Sequence, residues 1–137
     1  MSLIRFSVSL DRLLLEKFDR KIRGENCPTR SKAVGDLIRN SLVEEEWLRG
    51  DEVAGAIVLV YDHHRPNLMR ELTERQHKHH ALIISTQHMH LDHDNCLEIV
   101  AVRGQPRRIK TLVQSLQSVK GLKHVNFACA TTGRRLA

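Results

Sequence analysis

The sequence predicts an α+β protein made of two consecutive domains, and two patterns in the chain support this prediction. Near the N-terminus, a short segment of alternating apolar residues precedes two amphipathic helical segments. From residue 53 onward, strand-like and helical segments follow in the order βαββαβ, which is typical of a ferredoxin-like sheet. We expect the first domain at 1–48, a linker at 49–52 and the second domain at 53–137.

Composition narrows the class of protein. The 137 residues carry 22 Lys and Arg against 16 Asp and Glu, a net charge of +6 that is compatible with nucleic-acid binding. No apolar run reaches the roughly 20 residues of a membrane-spanning helix, and the N-terminus lacks the apolar core of a secretory signal. The three cysteines cannot all pair within one chain, which indicates a reducing compartment. We therefore expect a cytoplasmic protein that does not bind membranes.

The first domain is too small to be stable alone. Apolar residues occupy the even positions of 4–10, so the expected strand has one apolar face. Asp11 is the expected N-cap of the first helix, and Thr29 or Ser31 is that of the second. One strand and two helices cannot bury an adequate core, and a lone strand leaves an unpaired edge. Since both deficits disappear when two chains pair their strands, we infer an obligate dimer.

This strand–helix–helix order resembles the ribbon-helix-helix family of DNA-binding proteins. In that family, paired strands enter the major groove and their outward side chains read bases. The outward side chains here are Arg5, Ser7 and Ser9. Arginine can donate two hydrogen bonds to guanine, and serine can contact several bases. The alternative is an ordinary solvated strand face, on which both residue types are common.

The second domain carries all nine histidines and the order of secondary structure found in ACT domains, which are small regulatory domains. We expect strands and helices over these ranges: strands at 54–61, 81–90, 96–102 and 125–129, and helices at 67–76 and 106–119.

Two histidines and a cysteine in this domain predict a metal site. His88 and His90 are two residues apart on an expected strand, so both imidazoles point to one face. Cys96 follows just across a hairpin turn and can bring a thiolate to the same place. Glu98 lies on the same face, where it can accept a hydrogen bond from a ligand imidazole. This set is one ligand short of four.

The missing ligand has several candidates in the histidine-rich segment 76–80. The alternative for that segment is a solvated helix end, where histidine interacts favourably with the helix dipole. Tetrahedral geometry would favour zinc, and planar geometry Ni(II) or Cu(II), and the spacing does not choose between them. A catalytic site would need an open coordination position, which four protein ligands fill, so we expect no enzyme. We expect no more than weak surface metal binding from the remaining histidines: His63, His64, His79, His80, His93 and His124.

With both halves assembled, the chain from residue 5 to residue 129 resembles the nickel-responsive transcriptional regulator family, NikR. The stretch 86–99 looks like the family signature H-x-H-x5-C-L-E-I, and 76–80 matches its histidine run. Residues 26–33 match the start of the second helix in the DNA-binding half. The resemblance implies a homotetramer, a dimer of dimers, in which two DNA-binding dimers flank four ACT-like domains. The partner it implies is double-stranded operator DNA.

The same resemblance implies residue roles and a function. It implies Ni(II) bound in square-planar geometry across a subunit interface, by three residues of one chain and one of its neighbour: His88, His90 and Cys96, with His77. It implies base reading by the outward strand positions and a contact of Arg65 with the DNA backbone. The implied function is a nickel-dependent regulator that represses nickel uptake genes.

One position departs from the family pattern. The family commonly places two acidic residues four apart on the second helix to hold an alkali cation, whereas this chain has Lys32 and Asp36 there. Our hypothesis is that the Lys32 ammonium replaces potassium and pairs with Asp36 at i, i+4 spacing. The alternative is a plain solvated pair.

Two other functions fit parts of the sequence. A ribbon-helix-helix regulator could respond to an amino acid or another metal through its ACT-like domain, with the histidines incidental. A toxin-neutralising protein could also use a ribbon-helix-helix dimer, but such proteins usually carry a flexible tail, and this chain continues into a patterned second domain.

Overall fold

A computed structural model of the chain describes residues 2–136, which form two compact units that divide between Ser41 and Leu42. The division lies within the second helix, seven residues before the domain boundary expected at 48. No helix among the described residues is both long and apolar enough to cross a bilayer.

Each of the first two helices begins with a side-chain N-cap. Helix α1 spans Arg12–Gly24, and the Asp11 carboxylate accepts hydrogen bonds from two backbone N–H groups of its first turn, at 2.9 and 3.2 Å. Helix α2 spans Arg30–Arg49, and Thr29 Oγ1 accepts from the backbone N–H of the third residue after it, at 3.1 Å. These three hydrogen bonds satisfy N–H groups that lack a partner within the helix. Asp11 is therefore confirmed as an N-cap, and Thr29 is the second.

The expected strand over 4–10 is not formed within the single chain. Residues 2–10 carry neither helix nor strand, and their apolar side chains are exposed, Ile4 to 87% and Phe6 to 69%. The physical reason is that a two-stranded ribbon needs a second strand to complete its hydrogen-bond ladder. The alternation of side chains in this segment therefore predicts a strand that forms only when two chains pair.

The C-terminal unit confirms the βαββαβ order. Its elements are β1 Val53–Asp62, α3 Pro66–Lys78, a short 3-10 turn His80–Leu82, β2 Ile83–His90, β3 Asn95–Gly104, α4 Pro106–Gln117 and β4 His124–Cys129. The strands form one antiparallel sheet in the order β2–β3–β1–β4, which is ferredoxin-like. The strand expected from residue 81 begins at Ile83, because the 3-10 turn occupies the preceding residues.

One face of this sheet forms the core with the helices. Buried residues alternate along β3, and β1 has the same alternation over its second half. The central side chains from the sheet and from α4 are fully buried: Ile57, Leu59, Val100, Ile109, Leu112 and Leu116. Burial of each such side chain contributes about 1.5–3 kcal/mol. The core therefore closes within a single chain.

The last turn of α2 belongs to this core. The Trp47 indole donates to the Ala130 carbonyl at 2.8 Å and packs edge-on against Phe127, with ring centroids 5.4 Å apart. The helix ends at Arg49, two residues beyond its expected end at residue 47.

Candidate metal centre

The register of two strands brings the predicted ligands together. In the β2–β3 pair, His90 lies directly opposite Cys96 and His88 directly opposite Glu98. Directly opposed residues in an antiparallel pair share a face of the sheet, so all four side chains lie on one face. It is the helix-covered face, because Cys96 is only 3% exposed and Glu98 only 2%. The sequence prediction that these four residues share a face is confirmed.

A buried carboxylate organises this face. Glu98 accepts hydrogen bonds from the Tyr61 hydroxyl at 3.0 Å and from Gln76 Nε2 at 2.6 Å. His88 Nε2 lies 3.0 Å from the Glu98 Oε1 atom. A buried carboxylate is stable only when such partners satisfy it. The contact between Glu98 and a histidine that the sequence predicts is therefore present, and the histidine is His88.

Two residues that hydrogen-bond Glu98 were not predicted from the sequence. Tyr61 lies opposite Cys96 on β1, and Gln76 lies on the last turns of α3. Burial, reinforced by the neighbouring Glu98 charge, raises the pKa of the Tyr61 phenol, which therefore remains a hydrogen-bond donor at neutral pH. The alternation of β1 could have placed Tyr61 on the ligand-bearing face once the register was known.

The individual ligand atoms have other neighbours in the single chain. The His90 ring packs edge-on against the His63 ring, with centroids 4.8 Å apart. Cys96 Sγ lies 3.8 Å from the carbonyl oxygen of the next residue. The His77 ring, on the last turn of α3, stacks on the ring of His80 at 5.9 Å. His88, His90 and Cys96 thus share a face of the sheet but do not converge within one chain.

A different group of side chains is already convergent. Within residues 2–136, only His64, His93 and Asp94 bring three ligand atoms within 4.8 Å of one another. All three residues are exposed. The predicted set of His88, His90 and Cys96 does not meet this distance in one chain.

The positions expected to hold or replace a cation carry an ion pair. Lys32 Nζ lies 2.7 Å from Asp36 Oδ2 at i, i+4 spacing on α2, and Arg39 Nη1 lies 3.3 Å from the other oxygen of Asp36. The hydrogen bond from Lys32 to Asp36 raises the pKa of Lys32 and lowers the pKa of Asp36. The pairing in the hypothesis is present, on an exposed helix surface.

The expected DNA contacts lie on exposed segments. Arg5, Ser7 and Ser9 lie in the exposed segment 2–10. Arg65 immediately precedes α3, and its side chain crosses Gly121, where an added Cβ would come within 2.9 Å of Nη1. The lack of a side chain at Gly121 makes room for Arg65, and its φ of 97° is a left-handed conformation that favours glycine.

Known proteins resemble this chain over nearly its whole length. The family described as the NikR C terminal nickel binding domain matches residues 54–130, more than half of the chain. A protein of Nitratidesulfovibrio vulgaris strain DSM 19637 / Miyazaki F is 51% identical over 134 residues, covering 97% of this chain and 96% of its own. A protein of Syntrophus aciditrophicus is 48% identical over 132 residues, covering 96% of both chains. Both are named as nickel-responsive regulators.

A solved structure supports the fold alone. An uncharacterized protein of Thermotoga maritima superposes with a TM-score of 0.53 and 14% identity, covering 58% of this chain and 98% of its own.

Proposed function

The chain belongs to the nickel-responsive regulator family, and on that premise we propose that nickel bound to its second domain controls binding of its first domain to operator DNA. Like the relatives that it matches, it is a regulator and not an enzyme. The finer proposal is that the nickel-bound form represses nickel uptake genes in the cytoplasm. We propose DNA binding for the first domain, expected at 1–48, and metal binding for the second, expected at 53–137 after a linker at 49–52. The two compact units divide earlier than these bounds, between Ser41 and Leu42.

The observation that carries the proposal is the strand register at the candidate centre. Two imidazoles and one thiolate project from neighbouring strands onto one face, through His88, His90 and Cys96. Nitrogen and sulfur donors of this kind suit Ni(II), a borderline-soft ion. We propose His77 of a neighbouring chain as the fourth ligand, which would complete the set of three that one chain supplies.

Glu98 prepares one of these ligands. When His88 donates its Nε2 proton to the Glu98 carboxylate 3.0 Å away, its Nδ1 atom keeps the free electron pair. In the single chain this Nδ1 atom lies 3.4 Å from the Tyr61 hydroxyl. The carboxylate thereby fixes the tautomer of the ligand imidazole. Tyr61 and Gln76 hold the carboxylate in place through the two hydrogen bonds that they donate to it. Glu98 is thus proposed to position His88 without contacting the metal.

DNA binding is proposed for a dimer of the N-terminal unit, within a homotetramer. Pairing residues 4–10 with the same segment of a second chain would complete the ribbon and cover side chains such as Phe6. It would leave Arg5, Ser7 and Ser9 on the opposite face, toward the bases. Arg65 would contact the DNA backbone without reading sequence.

Nickel acts here as an effector. Because the ligands come from two chains, the metal binds most tightly to the arrangement of chains in which all four converge. When that arrangement also favours DNA binding, nickel and operator DNA raise each other's affinity by the same factor.

The test is the loss of the thiolate. Replacing Cys96→Ala should abolish nickel-dependent retardation of a nickel-uptake promoter in a native gel. Cys129→Ala, an exposed thiol on β4, is the matched control and should behave like the natural protein. Unchanged nickel-dependent retardation by Cys96→Ala would overturn the proposal.

A second proposal concerns the ion pair on α2. The Lys32 ammonium is proposed to take the place of an alkali cation beside Asp36. Operator affinity should then be the same in potassium and in a large organic cation at equal ionic strength. The variant Lys32→Glu restores two acidic residues and should acquire a dependence on potassium. Strong potassium dependence of the natural protein would contradict the proposal.

A further inference from the structure

The segment that follows β4, residues 130–136, contacts the last turns of α2 at two points. The Ala130 carbonyl accepts a hydrogen bond from the Trp47 indole at 2.8 Å, and the Thr131 hydroxyl donates to Glu46 Oε2 at 2.8 Å. Glu46 is only 5% exposed. Because a buried carboxylate is costly unless a hydrogen-bond donor satisfies it, the Thr131 hydroxyl stabilises this part of α2.

A third contact joins the end of the segment to the residues that follow α2. Arg135 Nη1 lies 3.0 Å from Asp51 Oδ2, and Arg49 Nη2 lies 3.1 Å from the same oxygen. Because the Arg135 and Arg49 side chains are 65% and 52% exposed, solvent weakens this contact relative to the two more buried ones. The residues expected as a linker, 49–52, are nevertheless bridged by a side chain from the C-terminal segment.

The start of the segment is continuous with the sheet that carries the candidate ligands. The Ala130 N–H donates to the backbone carbonyl of Ala54 at 2.8 Å, which extends the ladder between β1 and β4. An added Cβ at Gly55 would come within 2.9 Å of the Phe127 ring, so glycine lets this ring lie close against β1. β1 also pairs with β3, the strand of Cys96. Packed elements therefore lead without a break from a strand of the metal centre to α2.

We propose that residues 130–136, the C-terminal strap, hold the last turns of α2 on the metal-binding sheet and carry the effect of nickel to the DNA-binding domain. The proposal rests on the regulatory function above and names the connection through which it operates. α2 is one continuous helix, whose residues up to Ser41 belong to the N-terminal unit and whose later residues belong to the C-terminal unit. Because coupling between distant sites is carried by packed side chains and hydrogen bonds, a loosened strap should weaken the effect of nickel on operator affinity.

The test compares operator affinity with and without Ni(II) in the full-length protein, by fluorescence anisotropy of a labelled nickel-uptake promoter. The ratio of the two dissociation constants is the coupling factor. Thr131→Val removes the hydroxyl but keeps the shape of the side chain, and it should lower the coupling factor by about fivefold or more. Thr131→Ser keeps the hydroxyl and should retain the coupling factor. Thr111→Val is the matched control, because the Thr111 hydroxyl donates to a carbonyl within its own helix, α4.

A second variant breaks the other buried contact and guards against misfolding of the first. Trp47→Phe removes the indole N–H that donates to Ala130 and keeps an aromatic ring against Phe127. It should lower the coupling factor as Thr131→Val does. Both variants should still bind one Ni(II) per chain with its thiolate absorption band, because the proposed ligands lie on other elements.

The outcomes distinguish failure of the strap from failure of the regulatory function. A coupling factor in Thr131→Val and Trp47→Phe equal to that of the natural protein would overturn the strap proposal and leave the regulatory function intact. If nickel did not change the operator affinity of the natural protein itself, the regulatory function would fail, and the role of the strap with it. Loss of the thiolate band in both variants would show that the segment supports the metal centre and not the coupling, which would also overturn the proposal.

Discussion

The two units of this chain bury their apolar side chains to very different extents. In the C-terminal unit, the sheet and helices close around a core of fully buried aliphatic residues. In the described part of the N-terminal unit, residues 2–41, only Ile22 and Ala33 among the apolar residues are buried. Its exposed apolar residues are Leu3, Ile4, Phe6, Val8, Leu10, Leu13, Leu14, Leu37 and Ile38. The N-terminal unit therefore leaves most of its apolar surface uncovered within one chain, whereas the C-terminal unit closes its own core.

Because of this difference, association between chains would matter differently for the two domains. The metal-binding domain can hold His88, His90 and Cys96 in register without help, because the sheet is formed within one chain. In the N-terminal unit, residues 2–10 form no strand within one chain, and the proposed function supplies the second strand from another copy. Under the proposed function, whatever changes the arrangement of chains changes DNA binding more directly than it changes the fold of the sensor.

The largest expected effect separates the two units by their stability. Ile57→Ala, in the closed core, should lower the free energy of unfolding by about 2–5 kcal/mol. Trp47 is the only tryptophan and packs against Phe127, so its fluorescence reports this unit during urea unfolding. Phe6→Ala is the matched truncation in the N-terminal unit and should leave that transition unchanged while weakening operator binding. An equal shift for both variants would mean that the units unfold as one.

A smaller expected loss of operator affinity distinguishes base recognition from nonspecific binding to DNA. Arg5→Ala should weaken operator binding by about 1–3 kcal/mol and relax specificity at one base position, if Arg5 donates to a base edge. Arg65→Ala should weaken operator and unrelated DNA alike and reduce the salt dependence of binding by about one ion. Titrations of both duplexes at several salt concentrations distinguish the two patterns. Uniform weakening by Arg5→Ala would show that it contacts only phosphate.

The smallest effect concerns the turn between β2 and β3. The side-chain amide of Asn95, with the backbone N–H groups of Asn95 and Asp94, lowers the pKa of Asp92 to about 2, from a usual 3.8. A lowered folded-state pKa means that this stabilisation is present above pH 3.8 and lost as the pH falls toward 2. The urea midpoint of the natural protein should exceed that of Asp92→Asn at pH 6, and the difference should vanish near pH 2. A difference independent of pH would exclude the charge as its cause.

The sequence could predict whatever depends on neighbours along the chain. Asp11 and Thr29 are caps because their side chains meet N–H groups two or three residues away. The shared face of His88, His90 and Cys96 follows from the two-residue period of strands joined by a short turn.

What the sequence could not predict depends on pairings between distant segments. The hydrogen bonds of Tyr61 and Gln76 to Glu98 join three separate elements, so no local pattern encodes them. The convergence of His64 with His93 and Asp94 likewise needs two loops that only the sheet brings together. The strand at 4–10 is a different case, because it concerns two chains and a single chain does not test it.

The most direct test of the regulatory centre is a titration of the reduced, metal-free, full-length protein with Ni(II), followed by ultraviolet–visible absorption. We predict one tightly bound nickel per chain and an intense sulfur-to-nickel charge-transfer band, both retained in Cys129→Ala and lost in Cys96→Ala. Weak binding without such a band, or a band that survives in Cys96→Ala, would contradict the proposed centre.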